Sequence, residues 1–273
     1  MKLNNVPRSL VKIIDFEGMD ASYKETNSNA LYEYLKKERY ASAIADGKID
    51  VVKLEFPSYD PRRSYFVSEY LHGSYSDRFN IDFILDKEEL NKGMFANSIM
   101  ENQLKLLCSI FFLEMFDWAA TVKITKPTIF VLDRYFYSQM YYLSKNIHKI
   151  YHDDRNMLLA FVNKVFSTAI SMYLLPEADC IIKMSNTFDN MIKTIKERKH
   201  TDIYEEDYDY LKSVYDLFNE RDSDIFAYCS SYSSHNTIVK NIDVADKDRE
   251  QVFSEVKSNI ESVLKYFDEE LEE

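Results

Sequence analysis

The alternation of short β-branched runs with long stretches of helical periodicity is the feature that most constrains the fold of this 273-residue chain. Apolar runs of this kind, bounded by polar and turn-forming residues, are typical of buried strands. Five of them are found, and they are Val11–Glu17, Val51–Phe56, Thr128–Leu132, Ala178–Met184 and Asn236–Asp243. Because strands joined through helices pair in parallel, the sequence predicts an α/β fold. We expect a three-layer α/β/α arrangement with a five-stranded parallel sheet in the middle.

Apolar stripes at helical spacing occupy most of the chain between these strands. Such stripes predict helices that pack one face against the sheet and leave the other in solvent. The predicted helices are Thr26–Lys37, Glu101–Ala120, Asp154–Leu175 and a last amphipathic helix within Val244–Glu273.

Two segments interrupt this plan. Residues 60–97 are polar and aromatic without a strong strand, which fits either an insertion beside a substrate pocket or a surface pair of helices. Residues 193–209 are densely charged, which fits either a lid or a solvated helix. No internal repeat or low-complexity linker divides the chain, so we predict a single domain over residues 1–273.

The composition is that of a folded protein with an acidic surface. An apolar content of 46% with 15% aromatic residues is enough for a sizeable core. The net charge of −12 argues against an extended nucleic-acid surface, because neutralising many phosphates takes a basic face. The sequence shows neither a secretory signal nor a membrane-spanning run, so we expect a cytoplasmic protein with no membrane contact. Three widely separated cysteines predict reduced thiols, and they are Cys108, Cys180 and Cys229.

The segment after the first strand has the spacing of a phosphate-binding loop. In the pattern G-x-x-x-x-G-K-[ST], glycines let backbone N–H groups surround phosphates, the lysine reaches the β- and γ-phosphates, and the hydroxyl holds Mg²⁺. Gly18 and Lys24 stand at the first-glycine and lysine positions. Tyr23 replaces the second glycine, and Glu25 replaces the serine or threonine. The sequence therefore predicts a phosphate site in which two of the four fixed positions have changed.

Two further candidate segments stand at the ends of the second and third predicted strands. Phe56 and Pro57 end the second, and Asp133 and Arg134 directly follow the third. The carboxyl ends of parallel strands are where open α/β sheets bind ligands. A carboxylate there can serve a metal, and a guanidinium can hold a phosphate through two parallel hydrogen bonds.

In this order, these segments resemble the thymidylate kinase family of P-loop nucleoside monophosphate kinases, over nearly the whole chain. The first of them, Phe16–Thr26, is similar to the family's F-E-G-x-D-G-S-G-K-S-T. The others are similar to its F-P, Y-L-x-G, D-R-Y-x-x-S and lid motifs, and they are Phe56-Pro57, Tyr70–Gly73, Asp133–Ser138 and Lys199–Glu205.

The resemblance implies a kinase that transfers the γ-phosphoryl group of ATP, with Mg²⁺, to a deoxynucleoside monophosphate. On the ATP side it implies that Lys24 holds the β- and γ-phosphates. It also implies that Gly18 and Ser22 shape the cradle and that Thr26 lies beside it at the start of a helix.

The acceptor side follows from the same resemblance. It implies that Asp20 approaches the acceptor, that Arg134 holds its phosphate and that Tyr135 packs beside its sugar. Phe56 and Pro57 would line the substrate pocket.

The resemblance also implies a metal site, a charged lid and a partner chain. Asp133 would support the metal, together with Glu25 in place of the usual hydroxyl. Arg198 and Lys199 would neutralise the transferring group from the lid. Members of the family commonly pair through their two apolar helices, so we expect a homodimer.

Three departures from the family pattern leave the activity open. Tyr23 stands where positive φ is expected, at a cost of about 1–2 kcal/mol. Glu25 puts a carboxylate near phosphates, and Trp118 stands where the family has an arginine that binds the acceptor phosphate. Trp118 fits either core packing or stacking on a base. These changes are compatible with an active kinase, with a kinase for a modified nucleotide, or with a non-catalytic homologue that binds a nucleotide or a protein.

Overall fold

The computed structural model describes residues 3, 6–58, 112–138, 155–171, 174–197, 208–220 and 236–272, and elements are numbered within these ranges. The predicted insertion at 60–97 lies outside the described residues. So does the centre of the predicted lid, at 198–207, which includes Arg198 and Lys199.

A five-stranded parallel sheet forms the centre of the molecule, as the sequence predicts. The strand order is β2-β3-β1-β4-β5, so β1 is central. The strands are β1 (Val11–Gly18), β2 (Asp50–Glu55), β3 (Thr128–Asp133), β4 (Cys180–Ser185) and β5 (Ile238–Asp243). β1, β3 and β4 are buried along almost their whole length, whereas the edge strands β2 and β5 are partly exposed. Their continuous apolar runs follow from this burial on both faces.

Helices cover both faces of the sheet. The helix predicted at Thr26–Lys37 begins two residues earlier, at Lys24, and ends in a π-helical turn. The described helical elements of five residues or more are α1 (Lys24–Tyr34), the π-helical turn (Leu35–Arg39), α2 (Ala41–Ala45), α3 (112–121), α4 (Arg155–Ser171), α5 (Phe188–Lys196), α6 (Tyr208–Glu220) and α7 (Arg249–Glu272).

Two apolar clusters fill the space between the sheet and its helices. Ile13 belongs to the cluster that includes α3, α4 and α6, whereas Ile14 and Phe16 belong to the cluster that includes α1 and α7. Because side chains alternate along a strand, Asp15 and Glu17 lie on the same face as Ile13. The central strand therefore brings two carboxyl groups into the α3 and α4 side of the core.

Two expectations from composition can be compared with the described residues. No helix in those ranges combines the length and apolar character needed to span a membrane. Cys180 is a buried free thiol on β4, as predicted, whereas Cys108 and Cys229 lie outside the described residues.

Candidate functional site

The segments that follow β1, β2 and β3 meet at one end of the sheet. In the strand register, Asp133 stands opposite Phe16 on β1 and opposite Glu55 on β2. The Arg134 amide donates to the Phe16 carbonyl over 3.0 Å, and the Phe56 amide donates to the Asp133 carbonyl over 3.0 Å. These bonds extend the hydrogen bonding of the sheet beyond its strands, so the site residues predicted after β1, β2 and β3 are held at one end of the same sheet.

The loop after β1 contains two residues with positive φ that are not glycine. Ala21 and Tyr23 are both left-handed, with φ of 56° and 62°. The family pattern has glycine at both positions, and a side chain in this conformation costs about 1–2 kcal/mol. Left-handed residues in a tight turn are a backbone form in which N–H groups converge on an anion. The loop therefore keeps this shape although neither residue is glycine.

Gly18 is required where the loop begins. A methyl group placed on its Cα would lie 2.5 Å from the Met184 carbonyl oxygen on β4 and 2.5 Å from the Ser22 hydroxyl. From the other side, the Asn186 side-chain amide donates to the Ala21 carbonyl over 3.1 Å. The first residue of the loop thus packs against β4 without room for a side chain, and Asn186 is an anchor that sequence reasoning missed.

Lys24 is buried at the first residue of α1. Its ammonium donates to the Met19 carbonyl over 3.1 Å and lies 3.9 Å from the Asp20 carboxylate. Burial, followed by the positive charge of Arg134, lowers the pKa of Lys24 to about 8. A buried ammonium held inside the loop is suited to receive a phosphate.

The groups around the loop fit a bound phosphate. Ser22 is fully buried, and its hydroxyl has no hydrogen-bond partner among the residues described. Gly18 leaves the start of the loop without a side chain, and Lys24 supplies a cation. Together with the left-handed backbone, these are the donors that a phosphate needs.

Arg134 is turned toward the loop by its own backbone. It follows β3 in a left-handed conformation, with φ of 63°, and its guanidinium forms an ion pair with Asp20. About a fifth of each side chain is exposed, at 18% and 21%. The structure thus brings Asp20, Lys24 and Arg134 together at the point where the resemblance places the transferring phosphate.

Glu17 fixes the turn that carries Arg134. Its carboxylate accepts hydrogen bonds from the Tyr135 and Ser138 amides, each over 3.1 Å, and from the Ser138 hydroxyl. Burial raises the pKa of Glu17, although these bonds oppose that shift. Sequence reasoning matched Glu17 and Ser138 to family motifs but assigned them no role. Glu17 and Ser138 are 121 residues apart, so nothing in the local sequence predicts this contact.

Carboxyl groups also gather beside the start of α1. Ser28 donates from its hydroxyl to Asp133 over 3.1 Å, whereas Glu25 and Thr26 are exposed. Burial, and then the charge of Asp133, raises the pKa of Glu55, and Glu25 adds to this effect. Within the described residues no three such groups converge enough to hold a metal ion by themselves. Mg²⁺ at phosphoryl-transfer sites needs only one or two carboxylates plus phosphates, and Asp133 and Glu25 remain the predicted metal residues.

Two of the predicted substrate residues, Phe56 and Tyr135, belong to a buried aromatic cluster. Phe56 and Tyr135 are fully buried and lie 5.6 Å and 6.0 Å from the Trp118 ring, between ring centroids. Trp118 also meets Phe130 edge-on at 5.2 Å, which supports the core-packing interpretation of this residue. Its indole N–H is buried without a partner in the described part of the chain. Pro57 follows Phe56, at the edge of this aromatic cluster, through a cis peptide bond.

A parallel sheet in the order β2-β3-β1-β4-β5, with a glycine-to-lysine loop between the central strand and the first helix, defines the P-loop nucleotide-kinase fold. More particularly, the chain is similar to the solved structure of thymidylate kinase from Candida albicans, with a TM-score of 0.57 and 16% identity over 93% of each chain. The thymidylate kinase from Ehrlichia chaffeensis aligns at 15% identity over 90% of this chain and 96% of its own, with a TM-score of 0.45. No protein-family model and no curated protein matches this chain. The sheet order and the similarity to the Candida albicans structure show the fold of a thymidylate kinase, which confirms the predicted architecture.

Proposed function

We propose that this protein is a nucleoside monophosphate kinase that transfers the γ-phosphoryl group of ATP to a deoxynucleoside monophosphate, which is dTMP, dUMP or a modified relative. One observation carries the proposal. A buried lysine directly after a loop with two left-handed residues lies near an arginine that follows β3, and both contact Asp20. Phosphoryl transfer depends on positioning and charge stabilisation, and this arrangement supplies both.

The donor side is assigned to the loop and α1. Gly18 and Ser22 shape the cradle, Lys24 binds the β- and γ-phosphates, and Thr26 lies at its rim. The metal ion is assigned to Asp133 and Glu25. When bound, ATP with Mg²⁺ supplies the phosphoryl group and part of the charge neutralisation.

The acceptor side is assigned to the loops after β2 and β3. Arg134 exchanges its ion pair with Asp20 for one with the acceptor phosphate, and Asp20 stays paired with Lys24 beside the acceptor. Phe56, Pro57 and Tyr135 form the apolar side of the pocket.

The remaining assignments concern the lid, the assembly and the location. Arg198 and Lys199 are assigned to neutralise the charge of the transferring group. We further propose a homodimer through the apolar helices α3 and α4, and a cytoplasmic location where ATP and nucleotides are present.

The test is to incubate the purified chain with ATP, Mg²⁺ and each deoxynucleoside monophosphate in turn, and to measure the diphosphate formed. Lys24→Ala removes the loop cation and is expected to abolish turnover. The matched control is Lys37→Ala, which removes an exposed lysine with a side chain that is 71% accessible. Absence of diphosphate with every acceptor would reject the kinase assignment.

The second candidate is a non-catalytic homologue that binds a nucleotide or a protein partner. It is favoured by three changes at functional positions: the left-handed Tyr23, the carboxylate of Glu25 and the buried ring of Trp118. Calorimetric titration with ATP separates the two candidates. Lys24-dependent ATP binding without diphosphate formation is the result expected for the non-catalytic form.

A further inference from the structure

Asp15 is a carboxyl group in the middle of the central strand. It is fully buried, and its neighbours in the strand register are Leu132 on β3 and Ile181 on β4. An ionised carboxylate in such surroundings is expensive unless donors or cations compensate it. Neither Asp15 oxygen meets an N–H or O–H donor among the described residues.

The charged group that acts most strongly on Asp15 is another carboxyl group, that of Glu17. Asp15 and Glu17 are two residues apart on β1, so their side chains lie on the same face of the sheet, and both are buried. Two ionised carboxylates have acceptors only, so a hydrogen bond between them requires a proton on one of them.

The other contacts of Glu17 decide which group carries the proton. Both Glu17 oxygens accept hydrogen bonds, from the Tyr135 amide and from the amide and hydroxyl of Ser138. Bonds to the charged form of a carboxyl group favour its ionisation. Asp15 has no such bonds, so the proton belongs on Asp15.

We propose that Asp15 is a neutral carboxylic acid that donates a hydrogen bond to Glu17 and thereby positions the turn that carries Arg134. Asp15 is in this sense a positioning residue, because it acts through Glu17 and touches neither of the proposed substrates. Its effect on catalysis rests on the proposed kinase function, whereas the hydrogen bond and its effect on the turn do not.

The charges around Asp15 agree with this assignment. Burial, then the charge and hydrogen bond of Glu17 and the charge of Asp133, hold the pKa of Asp15 well above its usual range. On β4, Lys183 is in register with Glu17 and Cys180 with Ile14. On α3, Glu114 accepts from the Ser58 amide over 3.0 Å.

The first test is infrared spectroscopy of the intact protein near neutral pH, which distinguishes the C=O stretch of a carboxylic acid from a carboxylate. We expect a carboxylic acid band that disappears in Asp15→Asn. The control is Asp179→Asn, which removes a carboxylate that accepts from the Ile13 amide over 2.7 Å, and it should keep the band. A wild-type spectrum without this band, or a band that survives in Asp15→Asn, would overturn the proposal.

The second test measures hydrogen exchange at the Tyr135 and Ser138 amides. Asn keeps a donor for Glu17, so protection should stay within about twofold of wild type in Asp15→Asn. A valine side chain at position 15 suits the apolar neighbours but cannot donate a hydrogen bond to Glu17. Protection of the Tyr135 and Ser138 amides should therefore fall about tenfold in Asp15→Val. Exchange at the β5 amides reports the global stability of the protein, and their protection should change less than that of the Tyr135 and Ser138 amides. Equal protection in both variants would overturn the proposal, and if Asp15→Val does not fold, the infrared comparison decides by itself.

An activity measurement separates this inference from the kinase assignment. In an active kinase, Asp15→Val should raise the KM for the acceptor and leave ATP affinity unchanged, and Asp15→Asn should restore the wild-type KM. A wild-type protein with the carboxylic acid band and the expected exchange pattern, but without kinase activity, would reject the proposed function and leave Asp15 in its assigned state.

Discussion

Arg134 forms an ion pair with Asp20 across 114 residues of sequence, and this pair joins the loop after β1 to the turn after β3. Both side chains are mostly buried, and the Lys24 ammonium lies 3.9 Å from the same Asp20 oxygen. A single carboxylate therefore holds two cations beside the phosphate loop. An incoming phosphate can replace Asp20 at either cation without leaving a buried charge unpaired.

Arg134→Lys should weaken acceptor binding selectively. An ammonium keeps the charge but cannot make the two parallel bonds of a guanidinium to a phosphate. We expect the KM for the acceptor to rise about tenfold or more while the Kd for ATP changes little. Steady-state kinetics and calorimetry give the two values, and a parallel loss of ATP affinity would contradict the acceptor role.

Lys24→Met should stabilise the protein at neutral pH. The folded-state pKa of Lys24 is lowered from 10.5 to about 8. The folded protein therefore binds fewer protons than the unfolded chain between these values, and the cost of the ammonium is fully present below pH 8. Lys24→Met should gain up to about 3 kcal/mol at pH 7, less the lost bond to Met19, and the gain should shrink as pH rises above 8.

Denaturant unfolding of wild type and Lys24→Met between pH 6 and pH 9, to either side of the lowered pKa, provides this measurement. Lys37→Met is the matched control, because this lysine is exposed and should show no such gain. A Lys24→Met protein that is less stable than wild type at pH 7 would show that the loop gains more from the ammonium than its burial costs.

Tyr23→Gly should stabilise the loop. Glycine adopts the left-handed conformation of this residue without the side-chain penalty, and the net gain should be about 0.5–1 kcal/mol. Tyr208 is similarly exposed but begins the right-handed helix α6, so Tyr208→Gly should instead cost up to about 1 kcal/mol. Thermal unfolding compares the two, and equal destabilisation would argue against strain at Tyr23.

Gly18→Ala should damage both stability and ATP binding. The added methyl group would lie 2.5 Å from the Met184 carbonyl oxygen, and backbone must shift to admit it at a cost of about 1–3 kcal/mol. Gly47→Ala is the control, because Gly47 also has positive φ, at 71°, but has no atom near the added methyl group. Gly47→Ala should lose about 1 kcal/mol at most and keep ATP binding.

The elements of the sheet could be predicted from local sequence alone. Each of the five predicted strands overlaps the observed one, with ends that differ by at most two residues, because β-branched runs bounded by polar residues have few other stable forms. The predicted helices agree less well at their ends. The first begins at Lys24 rather than Thr26, since the first turn of a helix next to a loop has no apolar residue to mark it.

The candidate site was predictable as residue types but not as contacts. The spacing of Gly18 and Lys24 and the Asp133-Arg134 pair pointed to a phosphate site. The roles of Glu17, Ser138 and Asn186 were missed, because each depends on a partner far away in the sequence. Arg198 and Lys199 remain predictions, since they lie outside the described residues.

By itself, the sequence determined the fold class, the five strands and the residues that enter the phosphate loop. Only the tertiary structure decided that β1 is central, that Tyr23 is left-handed and that Asp15 and Glu17 are buried on one face of β1. This difference between what the sequence determines and what only the tertiary structure decides has a physical cause. Periodicity and turn chemistry act over a few neighbouring residues, whereas strand order and the state of a buried charge depend on which distant surfaces pack together and exclude water.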